Sequence, residues 1–280
     1  MDRKLPPNAT STEVRRFFDS YGWRIGEAGG KYLSEILYGD HSEISQEYDE
    51  GCEARYRGYF AAGGGLFLDA GCGALPLKRI GQNFERHVCV DISIAGLMAA
   101  KQQLGSRGLY VVADLNALPF RNESFDGVAA SYCLYHVDKE LQTSALEELY
   151  RVTRTHKNIL VFSIARHSLV SLAHRMAKAV WRLGRRLMPI SPKSTRRDGG
   201  SIGSPLPLYC YPQSPRLLTK GFRAVDITCL RTLTRVEAQA LRKLRLLKPA
   251  VRLLSFLEER LPHAMRLIGA YVAIRIQRTE

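Results

Sequence analysis

The sequence predicts a doubly wound α/β sheet, and three observations carry that reading. Short apolar runs of strand length recur between residues 66 and 163. The stretches between them include segments whose apolar residues repeat at helical spacing. A glycine-rich turn follows the first run, and an acidic residue stands at the end of each of the first three. Strands that alternate with helices pair in parallel through right-handed crossovers, which places helices on both faces of one sheet.

The elements follow in chain order. Residues 12–60 mix helical spacing with large side chains such as Val14, Phe17, Phe18, Tyr21 and Trp23, and read as a helical cover. Gly63-Gly64-Gly65 punctuates the chain before the first buried strand at 66–69. A glycine-rich turn and a helix to about Arg86 are expected next. The second strand is placed at 87–91, a helix at 94–104, and the third strand at 110–114. The fourth strand is placed at 125–131, a helix at 141–152, and the fifth strand at 159–163.

Beyond residue 165 the pattern changes. Leu169, Leu172, Met176, Val180, Leu183 and Leu187 form an apolar stripe, with Arg175, Lys178, Arg182, Arg185 and Arg186 around it. Residues 189–207 are rich in Pro, Ser and Gly and read as a loop. Strand signals return at 222–228 and 270–276, with a basic helical stretch between them. The expected organisation is a cover (1–60), an α/β core (61–165), a helical and loop insertion forming an acceptor lid (166–221), and closing strands with the basic helical segment (222–280).

The composition bounds the function. A chain of 280 residues with 45% hydrophobic and 24% charged residues is globular and long enough for a substantial core. No uncharged apolar run reaches the ~18–20 residues that span a bilayer. No apolar stretch follows the charges of the first residues, so a cytoplasmic protein is expected, with peripheral contact at the inner face of a membrane as a further option. The six cysteines are scattered without a Cys-x-x-Cys pair, so no zinc ribbon or disulfide framework is read and no metal is expected. Charge is uneven: residues 1–150 hold 15 Lys/Arg and 21 Asp/Glu, and residues 151–280 hold 26 and 6. A half with net charge +20 suits an anionic partner such as a membrane, an acidic carrier or nucleic acid.

Ligands of an open parallel sheet bind beyond the carboxyl ends of its strands, near the point where strand order reverses. Gly71 and Gly73 allow a tight turn and close backbone approach there. Asp91 stands where a carboxylate accepts both ribose hydroxyls of a nucleoside. Asp114, next along the edge, suits an exocyclic adenine amine. A dinucleotide site would want Gly-x-Gly-x-x-Gly beside its pyrophosphate. Here the third glycine is missing, and Asp69 would repel the phosphates. A cofactor without phosphate and with a cationic amino-acid tail, S-adenosylmethionine, fits the residues.

The strings Leu68-Asp69-Ala70-Gly71-Cys72-Gly73, Val90-Asp91-Ile92-Ser93, Ala113-Asp114-Leu115, Leu118-Pro119-Phe120 and Ser124-Phe125-Asp126-Gly127-Val128 resemble successive motifs of class I S-adenosylmethionine-dependent methyltransferases. The resemblance covers roughly residues 60–165. It points to the small-molecule branch with the ubiquinone/menaquinone-type and natural-product enzymes. It implies a seven-stranded, mostly parallel Rossmann-like sheet whose final strand runs antiparallel. It assigns Asp69 and the Ala70, Gly71, Cys72 and Gly73 loop to the methionine moiety, Asp91 with Ile92 to the ribose, and Asp114 with Leu115 to the adenine. Ser131 matches a position near the reacting sulfur. Leu75 departs from the pattern, which usually has glycine there, so an altered turn with binding retained is expected.

Methyl transfer from a sulfonium needs a positioned lone pair, and a general base only where the acceptor must lose a proton. His136, after the fourth strand, is either that base or a loop residue shaping the pocket. Tyr48 and Arg55 are candidates for a cover over cofactor or substrate. No Asn/Asp-Pro-Pro-Tyr string follows the fourth strand, which disfavours methylation of adenine or glutamine nitrogens. The expected acceptor is a small or lipophilic metabolite. An RNA methyltransferase using the basic half is the alternative, although that half has no RNA-binding module. A methyltransferase fold kept only for binding is the other. The helix at 168–188 reads as either a lid or an interfacial helix on anionic lipid, and the segment at 235–266 likewise.

Overall fold

The computed structural model describes residues 11–26, 30–38, 43–165, 208 and 210–280. The strands are β1 (Gly64–Ala70), β2 (Phe84–Asp91), β3 (Gly108–Val112), β4 (Gly127–Ser131), β5 (Asn158–Ile164), β6 (Val225–Arg231) and β7 (Tyr271–Gln277). They form one sheet in the order β3-β2-β1-β4-β5-β7-β6. The first five are parallel, and β7 is antiparallel to both β5 and β6. This is the sheet expected from sequence, and its strand order reverses between β1 and β4.

Among the described residues, three α-helices precede the sheet: α1 (Ser11–Phe17), α2 (Leu33–Tyr38) and α3 (Glu43–Arg57). Two more, α4 (Ile94–Leu104) and α5 (Gln142–Val152), connect its strands. A short turn, α6 (Pro215–Leu218), leads to β6. Between β6 and β7 lie α7 (Arg235–Lys243), α8 (Leu247–Arg260) and α9 (Pro262–Met265). The stripe at 168–188 and the loop at 189–207 lie outside the described residues. No helix among the described residues is long and apolar enough to cross a membrane.

Alternation along the strands builds two apolar layers. Leu68, Val88, Val128 and Ile159 face one side, where Leu146 and Leu149 of α5 cover them. Phe67, Ala129, Leu160 and Phe162 face the other, where the Tyr48, Cys52 and Tyr56 stripe of α3 packs. Each such side chain contributes about 1.5–3 kcal/mol on full burial. That fixes which way the strand ends present their polar residues.

The structure corrects two expectations here. No α-helix leads to Arg86. The segment contains turns and one 3₁₀ turn at Gly81–Asn83, and β2 begins at Phe84. Leu77 and Ile80 have the spacing of a helix, but the Leu77 N–H donates to Asp69 Oδ2 at 2.7 Å instead of to a helical carbonyl. Pro76 has no N–H to give. The sixth strand also begins three residues later than expected. A turn in which the Phe222 N–H reaches the Thr219 carbonyl, followed by Ala224 at φ 49°, occupies 219–224.

Candidate active site

The carboxyl ends of β1, β2 and β4, with the loop beyond β3, surround a cavity of about 470 Å³. Asp69, Gly71, Cys72, Asp91, Ile92, Asp114, Leu115, Ser131 and His136 all line it. Ala70 and Gly73 lie just behind. The Ala70 carbonyl accepts from the Cys133 thiol at 3.2 Å, and the Gly73 N–H donates to Asp91 Oδ2 at 2.8 Å.

Asp69 is fully buried near the end of β1. Its Oδ2 accepts from Leu77 N–H and lies 3.0 Å from His87 Nε2, whereas its Oδ1 has no hydrogen-bond partner. An unpartnered buried carboxylate oxygen is costly and marks a place for a donor. Burial works against charge on His87, but its hydrogen bonds to Asp69 and Cys89 prevail and push its pKa up to about 9. A protonated His87 therefore stands behind Asp69 at neutral pH. Asp69, His87 and Cys89 place one donor atom each within 4.8 Å of one another, the one such trio among the described residues.

Two glycines set the loop. Gly71 and Gly73 have φ of 67° and 51°, the left-handed region that side chains disfavour. A Cβ on Gly71 would lie 2.5 Å from Cys133 Cβ, and one on Gly73 would lie 2.2 Å from the Trp23 ring. Leu75 continues the turn through its N–H to the Cys72 carbonyl at 3.1 Å, and its side chain lines the cavity. The turn is thus closed without a glycine at that position.

Asp91 closes β2. Its oxygens accept from Gly73 N–H and, at 2.7 Å, from Ser93 N–H. Burial pushes its pKa up to about 6, aided by nearby Asp19 and Asp69, while the two backbone donors pull the other way. Asp114, expected to close the third strand, instead lies two residues beyond β3, which runs from Gly108 to Val112. Burial opposes its charge, but hydrogen bonds from Asn116 and from the Ser11 hydroxyl at 2.5 Å hold its pKa below the usual carboxylate value.

The cover comes from α1 and the turn after it. Ser11, Val14, Phe18 and Trp23 line the cavity, and the Trp23 indole N–H is buried without a partner. Asp19 accepts from the Ser93 hydroxyl at 2.6 Å and anchors the segment to the start of α4. The sequence points to Tyr48 and Arg55 as the cover, but the structure does not bring them to this cavity. Neither lines the cavity. Both sit on the buried face of α3, where Tyr48 donates to Glu258 of α8 and Arg55 pairs with the same carboxylate at 2.9 Å. Glu258 is 1% exposed, so it needs that guanidinium for its own charge.

A second cavity of about 460 Å³ shares Phe18, Trp23, Leu75, Tyr132 and His136 with the first. Tyr135, Tyr271, Leu230 and Cys210 add apolar wall, and Asp49, Glu53 and Arg231 add charge. Tyr132 is held at φ 55° directly after β4, a costly conformation for a tyrosine, at the junction of the two spaces. Burial and neighbouring Asp49 push the Glu53 pKa up to about 7. The His136 ring meets Phe18 edge-on at 5.7 Å, and its Nδ1 lies 3.6 Å from Cys210 Sγ.

Residues 68–161 match the family model described as methyltransferase domain. That segment is thus similar to a methyltransferase domain over about a third of the chain. Among relatives, the chain is 31% identical over 176 residues to a malonyl-[acyl-carrier protein] O-methyltransferase of Erwinia billingiae, covering 61% of this chain and 64% of that protein. It is 28% identical over 134 residues to a demethylmenaquinone methyltransferase of Roseiflexus castenholzii, covering 46% and 50%. The chain thus spans half to just under two thirds of the curated relatives it matches. A geranyl diphosphate methyltransferase solved with GPP and sinefungin superposes with a TM-score of 0.55 at 16% identity, covering 96% of this chain and 99% of that one. The [4+2]-cyclase SpnF gives the same TM-score and identity over 98% and 99%. These two structures establish the methyltransferase-domain fold. One of them is a cyclase, so the chemistry has to be argued from the site.

Proposed function

We propose that the chain is an S-adenosylmethionine-dependent methyltransferase acting on a small or lipophilic acceptor. The observation that carries this reading is the unpartnered Asp69 Oδ1, buried in the wall of a cavity that also holds Asp91 and Asp114. Three carboxylates around one cavity disfavour a pyrophosphate and suit an ammonium group, ribose hydroxyls and an adenine amine. In this reading Asp69 accepts from the ammonium and Asp91 from the ribose hydroxyls. Asp114 and Leu115 receive the adenine, and Gly71 and Gly73 leave room for the backbone to approach. Ser131 lies on the cavity wall near the junction with the second space. When bound, the cofactor supplies an electrophilic methyl group on a sulfonium.

The second cavity is the acceptor's place in this reading. Its aromatic walls suit an apolar or conjugated body, and Tyr132 and His136 stand where the two spaces meet. Holding the acceptor against the methyl carbon supplies much of the acceleration, on the order of 7–11 kcal/mol for well-oriented reactants. In this reading His136 takes a proton from an acceptor hydroxyl or amine. The test is transfer of an isotopically labelled methyl group into a metabolite extract. Label should enter small molecules with the parent protein and not with Asp91→Ala. Label entering RNA alone would favour the nucleic-acid alternative and reject this acceptor class.

A further inference from the structure

The excursion between β6 and β7 has an outer surface that the proposed reaction does not use. Both of its ends leave the sheet at the second cavity, where Arg231 closes β6 and Tyr271 opens β7. Helix α8 buries Leu247 and Glu258, while Lys248, Arg252, Leu253, Phe256 and Arg260 are exposed. Leu253 is 59% exposed and Phe256 55%. The turns flanking α8 add the exposed Leu244, Leu246 and Leu261, and the turn after α9 adds Leu267. Apolar side chains this large seldom gather on a free protein surface unless they meet something.

The charge around them is mostly positive, with Glu259 the exposed acid on α8. Residues 235–267 carry eight Lys/Arg and three Asp/Glu. Of the three acids, Glu258 is buried against Arg55, and Glu237 closes the capping box at the start of α7. The Arg260 guanidinium lies over the Phe256 ring at 5.5 Å, so cation and apolar side chain share one patch. A nucleic acid would use the cations and leave six exposed leucine and phenylalanine side chains without a role. The boundary between lipid headgroups and acyl chains uses both.

We propose that the outer surface of residues 244–267 docks on an anionic lipid membrane, with Leu253 and Phe256 entering the acyl boundary and Lys248, Arg252 and Arg260 meeting the headgroups. Docking there would bring the lipid surface beside the segments that rim the second cavity, a short route for a lipophilic acceptor. The docking itself does not depend on the identity of the cofactor.

The test is co-sedimentation of the full chain with vesicles of mixed phosphatidylglycerol and phosphatidylcholine, and with vesicles of phosphatidylcholine alone. Binding is expected to the anionic vesicles only and to weaken with salt. Leu253→Asp with Phe256→Asp should abolish it. Arg252→Glu with Arg260→Glu should weaken it by well over tenfold, since each cation near such a surface is worth about fivefold. All four positions are exposed, and an unchanged circular dichroism spectrum would show that both variants fold. Absence of binding to anionic vesicles, equal binding to phosphatidylcholine alone, or full retention in the two double variants would overturn the proposal. Binding only to single-stranded RNA, insensitive to the Leu253 and Phe256 changes, would also overturn it.

Discussion

Raising the pH through 9 should remove a stabilising proton from behind Asp69. His87 is 1% exposed and lies between the Asp69 carboxylate and Cys89, with the Phe67 ring edge-on at 5.0 Å and Cys72 hydrogen-bonded to Cys89. Its pKa rises from 6.5 to about 9 on folding. A group whose folded pKa is raised contributes stability that is complete below the unfolded value and lost as pH climbs through the folded one. At about 1.36 kcal/mol per unit, the contribution is about 3 kcal/mol below pH 6.5 and nearly gone at pH 9.5. The assay is urea unfolding at intervals from pH 6 to 10 for the parent and His87→Gln. Buried thiols with raised pKa away from His87, such as Cys229 at about 12, also destabilise the fold above about pH 8.5 in both proteins alike, whereas Cys89, whose pKa His87 helps to lower, is replaced by alanine in both. The readout is therefore the difference in slope between pH 6.5 and 9.5. The parent should lose about 3 kcal/mol more than the variant over that window. Identical slopes would refute the account of a protonated His87 behind Asp69.

Further outcomes follow from the same geometry. Gly71→Ala forces a side chain into φ 67° and places Cβ 2.5 Å from Cys133 Cβ, so it should cost about 2–5 kcal/mol in unfolding experiments and weaken cofactor binding. Adding Cys133→Ala should not rescue it, because the overlapping atom is Cβ itself. Arg55→Ala leaves the Glu258 carboxylate buried without its cation and should lower stability by about 3–5 kcal/mol while leaving cofactor affinity at a permissive temperature unchanged. A large drop in affinity would return Arg55 to the cofactor cover. His136→Ala should reduce turnover far more than cofactor affinity. A variant with the parent's activity at every pH from 6 to 9 would remove His136 from the chemistry.

The sequence was most legible where burial and chemistry coincide. The strands read as short apolar runs because both faces of a parallel sheet are covered. The acids at their ends read as ligands because nothing in a strand calls for a terminal carboxylate. Long-range pairing was not legible. Arg55 and Tyr48 looked like cover residues because their partner, Glu258, lies more than 200 positions away in sequence. The helix expected before Arg86 does not form, because sequence alone does not reveal that an upstream carboxylate takes the Leu77 N–H. Phe18 and Trp23 stood out as aromatics, but only the fold shows that the turn after α1 brings them over Gly73 and beside His136.

The central claim is that buried acids at the tips of adjacent strands select a cationic, phosphate-free nucleoside. Calorimetric titration of the parent and of Asp91→Ala with S-adenosylmethionine, set beside titration with NAD, tests it most directly. The account predicts heat with the sulfonium compound, none with the dinucleotide, and at least a tenfold weaker dissociation constant in the variant. Tighter binding of the dinucleotide, or an affinity for S-adenosylmethionine untouched by losing the Asp91 carboxylate, would contradict it.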